Sequence, residues 1–147
     1  MGELCGALAI IGYGSFGFIA DRFGRKPVTM VFFALALVLT PVLFLWTQDL
    51  GLLLAVAAVN GYFSLGQYSW MPVWLPELFP TRIRATAMAF AFNAPRFIAF
   101  LGPLLAGKLI VGFGGFGVAA TIVATIYVLG LLAAPFLPET KGRPLPA

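Results

Sequence analysis

Hydrophobic residues in this chain fall into five long runs, approximately Leu4–Ala20, Pro27–Trp46, Leu52–Leu75, Ala85–Val111 and Phe116–Leu137. Each approaches the roughly 20 apolar residues that a helix needs to cross a bilayer. The breaks between them are short. The first reads Asp21, Arg22, Phe23, Gly24, Arg25, Lys26, and Pro27 opens the next run at a position that suits the first turn of a helix. This pattern predicts a tight hairpin with its charges at the water interface. Thr47–Gly51 joins the second and third runs. Gly112–Gly117, rich in glycine, joins the fourth and fifth, where left-handed dihedrals suit a tight turn.

Composition turns these runs into membrane spans. Apolar residues make up 61 % of the chain and charged residues 10 %, and mean hydropathy is +1.01. A soluble domain carries about 25 % charged residues, so this chain cannot cover a water-exposed surface and its expected partner is the lipid bilayer. The fold class predicted is an all-α polytopic membrane protein of five transmembrane helices, residues 1–137, followed by a tail, 138–147. The net charge of +4 does not point to nucleic acid, because the cations lie in short loops between apolar runs. Topogenic signals and anionic headgroups explain them better. Cys5, the lone cysteine, permits no intrachain disulfide, and histidine is absent. No metal or other cofactor is expected, and no secretory signal is visible.

Lys and Arg fall on alternate connections. Arg22, Arg25 and Lys26 follow the first run, Arg82 and Arg84 the third, and Lys141 and Arg143 the fifth. The positive-inside rule makes that side cytoplasmic, with the N-terminus outside and the C-terminus inside. Lys108, near the outer end of the fourth run, can snorkel to the headgroups. An outside N-terminus in so short a first run suggests that further helices precede it. Plasma membrane is the expected location.

Three motifs carry the family resemblance. The spacing Gly17-x-x-x-Asp21-Arg22-x-Gly24-Arg25-Lys26 resembles the signature loop of the major facilitator superfamily of solute transporters. Gly17 and Gly24 are read as close-approach positions between helices, and Asp21, at a disfavoured helix C-terminus, as a partner of Arg22, Arg25 or a neighbouring helix N-terminus. The stretch Pro76–Thr86, with Glu77, Arg82 and Arg84, is similar to the loop between the tenth and eleventh helices of sugar porters and metabolite–proton symporters. Pro138-Glu139-Thr140-Lys141-Gly142 is similar to the tail after their twelfth helix, and Glu139 is expected to pair with loop cations.

The order of these motifs matches the five runs to helices eight to twelve. The resemblance then implies a partner, the N-terminal half of the transporter, on the same or a second chain. It also implies a small polar solute held near the midplane between two rocking halves, proton coupling, and a gating role for the Asp21 loop, which latches against the other half.

The fourth run holds the sharpest solute hint. At helical spacing Ala85, Ala89, Asn93, Arg96, Phe100, Pro103 and Gly107 share one face. Arg96 lies about 11 residues, or roughly 17 Å, inside the charged end. An arginine there costs about 2.5–3.5 kcal/mol even on the lenient scale, so it should face a cavity or a partner. Arg96 and Asn93 are candidate solute ligands, the plain alternative for Arg96 being a salt bridge to an acid in the N-terminal half, with no solute contact. In the third run Asn60, Ser64, Gln67, Met71 and Trp74 recur along one face. Asn60 and Gln67 are candidate cavity residues or, equally, helix–helix hydrogen-bond partners. Trp70 and Trp74 read as interface-belt anchors, while Pro41, Pro95 and Pro135 imply kinks.

An enzyme is not expected: no histidine, phosphate-binding loop or paired intramembrane carboxylate is present. The leading expectation is part of a secondary transporter for organic anions. Alternatives are a sugar porter and a stand-alone five-helix membrane scaffold.

Overall fold

The computed structural model describes residues 2–146, except the side chains of residues 2–5 and 104. The side chain of Cys5 therefore lies outside the described residues, as do Met1 and Ala147.

The apolar runs form five helical rods. α1 spans Gly2–Phe23, three residues beyond the end of its apolar run. α2 spans Arg25–Pro41 and continues as a wider π-helical turn, Val42–Trp46. α3 spans Leu50–Gly66 and passes through a tight 3₁₀ turn, Gln67–Ser69, into two short helices, α4 (Trp70–Val73) and α5 (Leu75–Leu78). Pro72 and Pro76 fall in this loosened end. Asp49 caps α3, its carboxylate accepting from Leu52 N–H at 3.0 Å, which satisfies a donor that the first turn leaves free.

The fourth rod is not one helix. α6 (Thr81–Ala99) stops and α7 (Gly102–Gly112) begins after a turn at Phe100 and Leu101. Pro95, the expected kink, lies inside α6 without ending it. Pro103 explains the break. It has no N–H to offer Ala99, and its ring would clash with that carbonyl. The fifth rod comprises α8 (Phe116–Ala124), α9 (Ile126–Ala133) and a 3₁₀ turn, Ala134–Phe136. Gly114 and Gly115, at φ 78° and 151°, make the turn before it. Among the described residues, three rods are long and apolar enough to cross a membrane: Arg25–Trp46, Leu50–Leu78 and Phe116–Phe136.

Packing centres on α1, α2 and α3. Phe16, Ala20, Val28 and Phe32 form the buried cluster, flanked by Ile19, Tyr62, Phe63, Trp70 and Val73. Phe32 meets Phe16 and Phe63 edge-on, with ring centroids 5.2 and 5.1 Å away. α1 and α3 approach most closely through Gly12 and Gly66. A Cβ on Gly12 would stand 2.2 Å from the Tyr62 carbonyl oxygen, and one on Gly66 would stand 2.9 Å from that of Gly12. Two hydrogen bonds fasten the same seam, Ser15 to Tyr62 at 2.6 Å and Ser69 to the Tyr13 carbonyl at 2.7 Å.

Gly17 does not have the expected role, because a Cβ there would make only an ordinary 3.9 Å contact with Val73. Trp70 and Trp74 are not belt anchors either. Trp70 packs on the buried cluster, and Trp74 is 0 % exposed, its indole N–H donating to the Pro138 carbonyl at 3.2 Å. Large side chains such as Ile10, Phe18, Phe90, Val111 and Phe136 point outward instead. That surface is far more apolar than a soluble monomer tolerates.

Candidate functional site

The three motifs, far apart in sequence, converge at one end of the bundle. Gly24 alone connects α1 to α2, at φ 105° and ψ 150°, a region open essentially to glycine. This one-residue link sets Arg25 beneath the end of α1. The Arg25 guanidinium, with its side chain 12 % exposed, grips Glu77 with two hydrogen bonds, Nε to Oε2 at 3.1 Å and Nη2 to Oε1 at 2.9 Å. Its Nη1 reaches Asp21 at 2.6 Å and the Ala20 carbonyl at 3.2 Å. Such a planar fork suits arginine and not lysine. The Asp21 side chain remains 66 % exposed.

The tail closes the network. The Thr140 hydroxyl donates to Glu77 Oε2, and Lys141 Nζ donates to the Arg22 carbonyl at 2.6 Å. Arg84 bonds the carbonyls of Pro76, Phe79 and Pro146 at 2.9, 3.2 and 3.1 Å. Glu139 does not pair with a cationic side chain as expected. Its carboxylate accepts the backbone N–H groups of Arg25 and Lys26, both at 2.9 Å, and those of Thr140 and Lys141, both at 3.1 Å. It thus caps α2 from across the fold. Partial burial pushes this carboxyl's pKa up, but the four N–H donors outweigh burial and hold it below the usual range.

A signal for this cap exists in the sequence. Gly24 has no side chain to cap α2, and the first turn of α2 contains no acid, so the helix needs a carboxylate from elsewhere. Lys26 Nζ bonds the Pro135 carbonyl. Arg22 keeps its charge outside the network, 5.8 Å from the centre of the Phe23 ring. Arg82 is exposed and, among the described residues, forms no ion pair.

The candidate solute ligands are not brought to one place. Asn60 and Ser64, joined at 3.2 Å, line a groove of about 490 Å³ with Thr40, Tyr68 and Tyr127. Gln67 is buried and lines an adjoining cleft of about 390 Å³. Asn93 and Arg96 are exposed on α6, away from both. Arg96 Nη1 donates to Asn93 Oδ1 at 2.8 Å, and Asn93 Nδ2 donates to the Ala89 carbonyl at 2.7 Å. Asn93 therefore holds the guanidinium against its own helix. Tyr68, Tyr127 and Thr40 were missed as groove residues, because their role depends on which rods become neighbours.

The sequence profile of the Major Facilitator Superfamily matches residues 4–146. The chain belongs to this superfamily. It is thus part of an integral, multi-pass membrane transporter family, not of an enzyme family. A Haemophilus influenzae protein named for metabolite transport is 36 % identical over 143 residues, 97 % of this chain and 34 % of the relative. The glycine betaine/proline/ectoine/pipecolic acid transporter OusA of Dickeya dadantii is 35 % identical over 88 % of the chain and 26 % of its own length. The human protein named solute carrier family 22 member 12 is 33 % identical over 87 % of the chain and 23 % of its own length. The chain spans about a third or less of these relatives, a partial facilitator fold.

Proposed function

We propose that residues 1–137 supply helices eight to twelve of the C-terminal half of a proton-coupled transporter for small carboxylate-bearing solutes, with 138–147 as its cytoplasmic tail. The five rods then all span the membrane, with the N-terminus outside. The order of the three motifs supports this register, and so does their convergence on one network. Glycine betaine, proline, ectoine and pipecolic acid, which name one relative's substrates, each combine a carboxylate with a nitrogen centre.

Arg96 carries the substrate reading. It is a fixed cation in an apolar run, exposed on a face that no other described residue covers. Closing the N-terminal half over α6 would bring this face to the central cavity, where a guanidinium fork matches a carboxylate. At the charged end, Arg25, Glu77 and the tail hold the helices together. Asp21, still mostly exposed, is left to engage the opposite half. This is the gating role proposed for Gly17, Asp21, Arg22, Gly24, Arg25 and Lys26, with Glu77, Arg82 and Arg84 as its loop counterpart.

The test is uptake of radiolabelled glycine betaine and proline by vesicles containing the full-length protein, with and without a proton gradient. Arg96→Gln should reduce carboxylate uptake at least about tenfold, as expected for losing a charged hydrogen bond. Unchanged uptake and affinity would remove Arg96 from the solute site. The Pro-Glu-Thr-Lys-Gly tail keeps a sugar porter as the second reading, and uptake of a neutral sugar insensitive to Arg96→Gln would favour it.

A further inference from the structure

Between α1 and α2, at the charged end, an apolar groove of about 310 Å³ opens outward. Ile19 and Phe23 form one wall and Pro27, Val28, Val31 and Phe32 the other, with no polar side chain among them. Phe23, Pro27 and Val31 are exposed along the rim, whereas Val28 and Phe32 belong to the buried cluster. The walls run for roughly 6–8 Å from the hairpin into the apolar zone. Two cations stand at this end of the groove. The Arg22 guanidinium lies 5.8 Å from the centre of the Phe23 ring, and Lys141 Nζ lies 2.6 Å from the Arg22 carbonyl. Among the described residues neither forms an ion pair. The nearby carboxylates are engaged elsewhere, Asp21 and Glu77 with Arg25 and Glu139 with backbone N–H groups. At the other end of α2 a groove of about 350 Å³, which includes Val38, Pro41 and Trp46, is just as apolar. The loop beside it, residues 47–51, contains Asp49 and no Lys or Arg.

We propose that the groove beside Arg22 binds an anionic phospholipid, with an acyl chain between α1 and α2 and the phosphate on the Arg22 guanidinium. The chain belongs to a membrane-protein family, and cations that end an apolar run lie at headgroup depth. A phosphate at that depth meets a planar fork matched to its oxygens, and an anionic leaflet attracts each Lys or Arg near it. The groove opens at the same depth and takes the first methylenes of the same molecule, removing Phe23 and Val31 from contact with water. A free anion leaves the groove unfilled. A zwitterionic lipid fills it but adds an ammonium beside Arg22 and Lys141. An anionic phospholipid matches both the apolar walls and the two cations. The site shares no residue with the carboxylate reading of Arg96.

The test titrates the full-length protein, in detergent micelles, with phosphatidylglycerol and counts retained lipid by native mass spectrometry. One tightly held phosphatidylglycerol is expected, in preference to phosphatidylcholine. Arg22→Gln should weaken it about fivefold, the effect of one basic residue near an anionic surface, and leave phosphatidylcholine unchanged. Val31→Trp adds bulk to the groove from an exposed position and should abolish tight retention. Val38→Trp, exposed in the groove without cations, should not. Equal retention by the unaltered protein, Arg22→Gln and Val31→Trp overturns the proposal. Absence of retained lipid also overturns it, and would mean that the rest of the full-length protein covers the groove. Displacement by inorganic phosphate, with Val31→Trp having no effect, replaces the lipid with a free anion and overturns it too. Uptake dependent on Arg96 is measured independently, so the two readings fail separately.

Discussion

Glu77, rather than the more conspicuous Asp21, should dominate the stability of the charged end. Glu77→Ala removes two hydrogen bonds from Arg25 and one from Thr140. Because the side chains of Arg25 and Glu77 are only 12 % and 20 % exposed, little water can replace what is lost. A charged hydrogen bond contributes about 1.5–3 kcal/mol, and breaking a fully buried pair costs about 3–5 kcal/mol. Asp21 still neutralises part of the Arg25 charge, so the expected loss is about 2–3 kcal/mol, in the upper part of the first range and below the second. Asp21→Ala removes one exposed contact and should cost about 0.5 kcal/mol. Denaturant titration of the full-length protein, followed by tryptophan fluorescence, measures both. Trp74 is a suitable reporter because its indole is buried against the tail. Equal losses for the two variants would refute the reasoning, as would a loss below about 0.5 kcal/mol for Glu77→Ala.

Three further outcomes follow from local geometry. Gly12→Ala and Gly66→Ala force a Cβ into backbone oxygen and should each cost about 1–3 kcal/mol in the same titration, whereas Gly14→Ala, with open space around it, should be tolerated. Gly24→Ala must hold φ 105° with its Cβ 2.9 Å from Glu139 Oε2, so a loss of about 1–3 kcal/mol is expected. The lowered pKa of Glu139 means the unfolded chain binds its proton more readily than the folded one. Its stabilisation is therefore complete above the ordinary carboxylate range and is lost as pH falls through the lowered folded value. Unfolding midpoints measured against pH should show a flatter acid limb in Glu139→Gln.

The rods and the charged hairpin were legible because their signals are local. An apolar run of span length, a cluster of cations and a glycine link can each be read within a few residues. The Glu139 cap was not read, because its two donors on α2 lie more than a hundred positions earlier and only the fold makes them neighbours. The glycines around Tyr13 and Ser15 read as packing contacts, but sequence does not reveal that Gly12, rather than Gly14 or Gly17, faces a carbonyl. Trp74 shows the same limit. An indole near a charged end can anchor in the interface or seal a tail, and what packs beside it decides. In the fourth rod Pro95 drew attention as the kink, while the break came from Pro103, whose steric conflict falls on Ala99. Asn93 and Arg96 were correctly placed on one face, but periodicity within a helix cannot say what lies opposite.

The Glu139 cap has a consequence for biosynthesis. The ribosome makes the hairpin of α1 and α2 before the tail, and the carboxylate that completes the start of α2 follows 114 residues behind Arg25. Until then the N–H groups of Arg25 and Lys26 must be satisfied by water or by headgroup phosphates. Release of the tail from the ribosome is therefore an assembly step, exchanging these temporary acceptors for Glu139 and joining a later-made segment to an earlier hairpin.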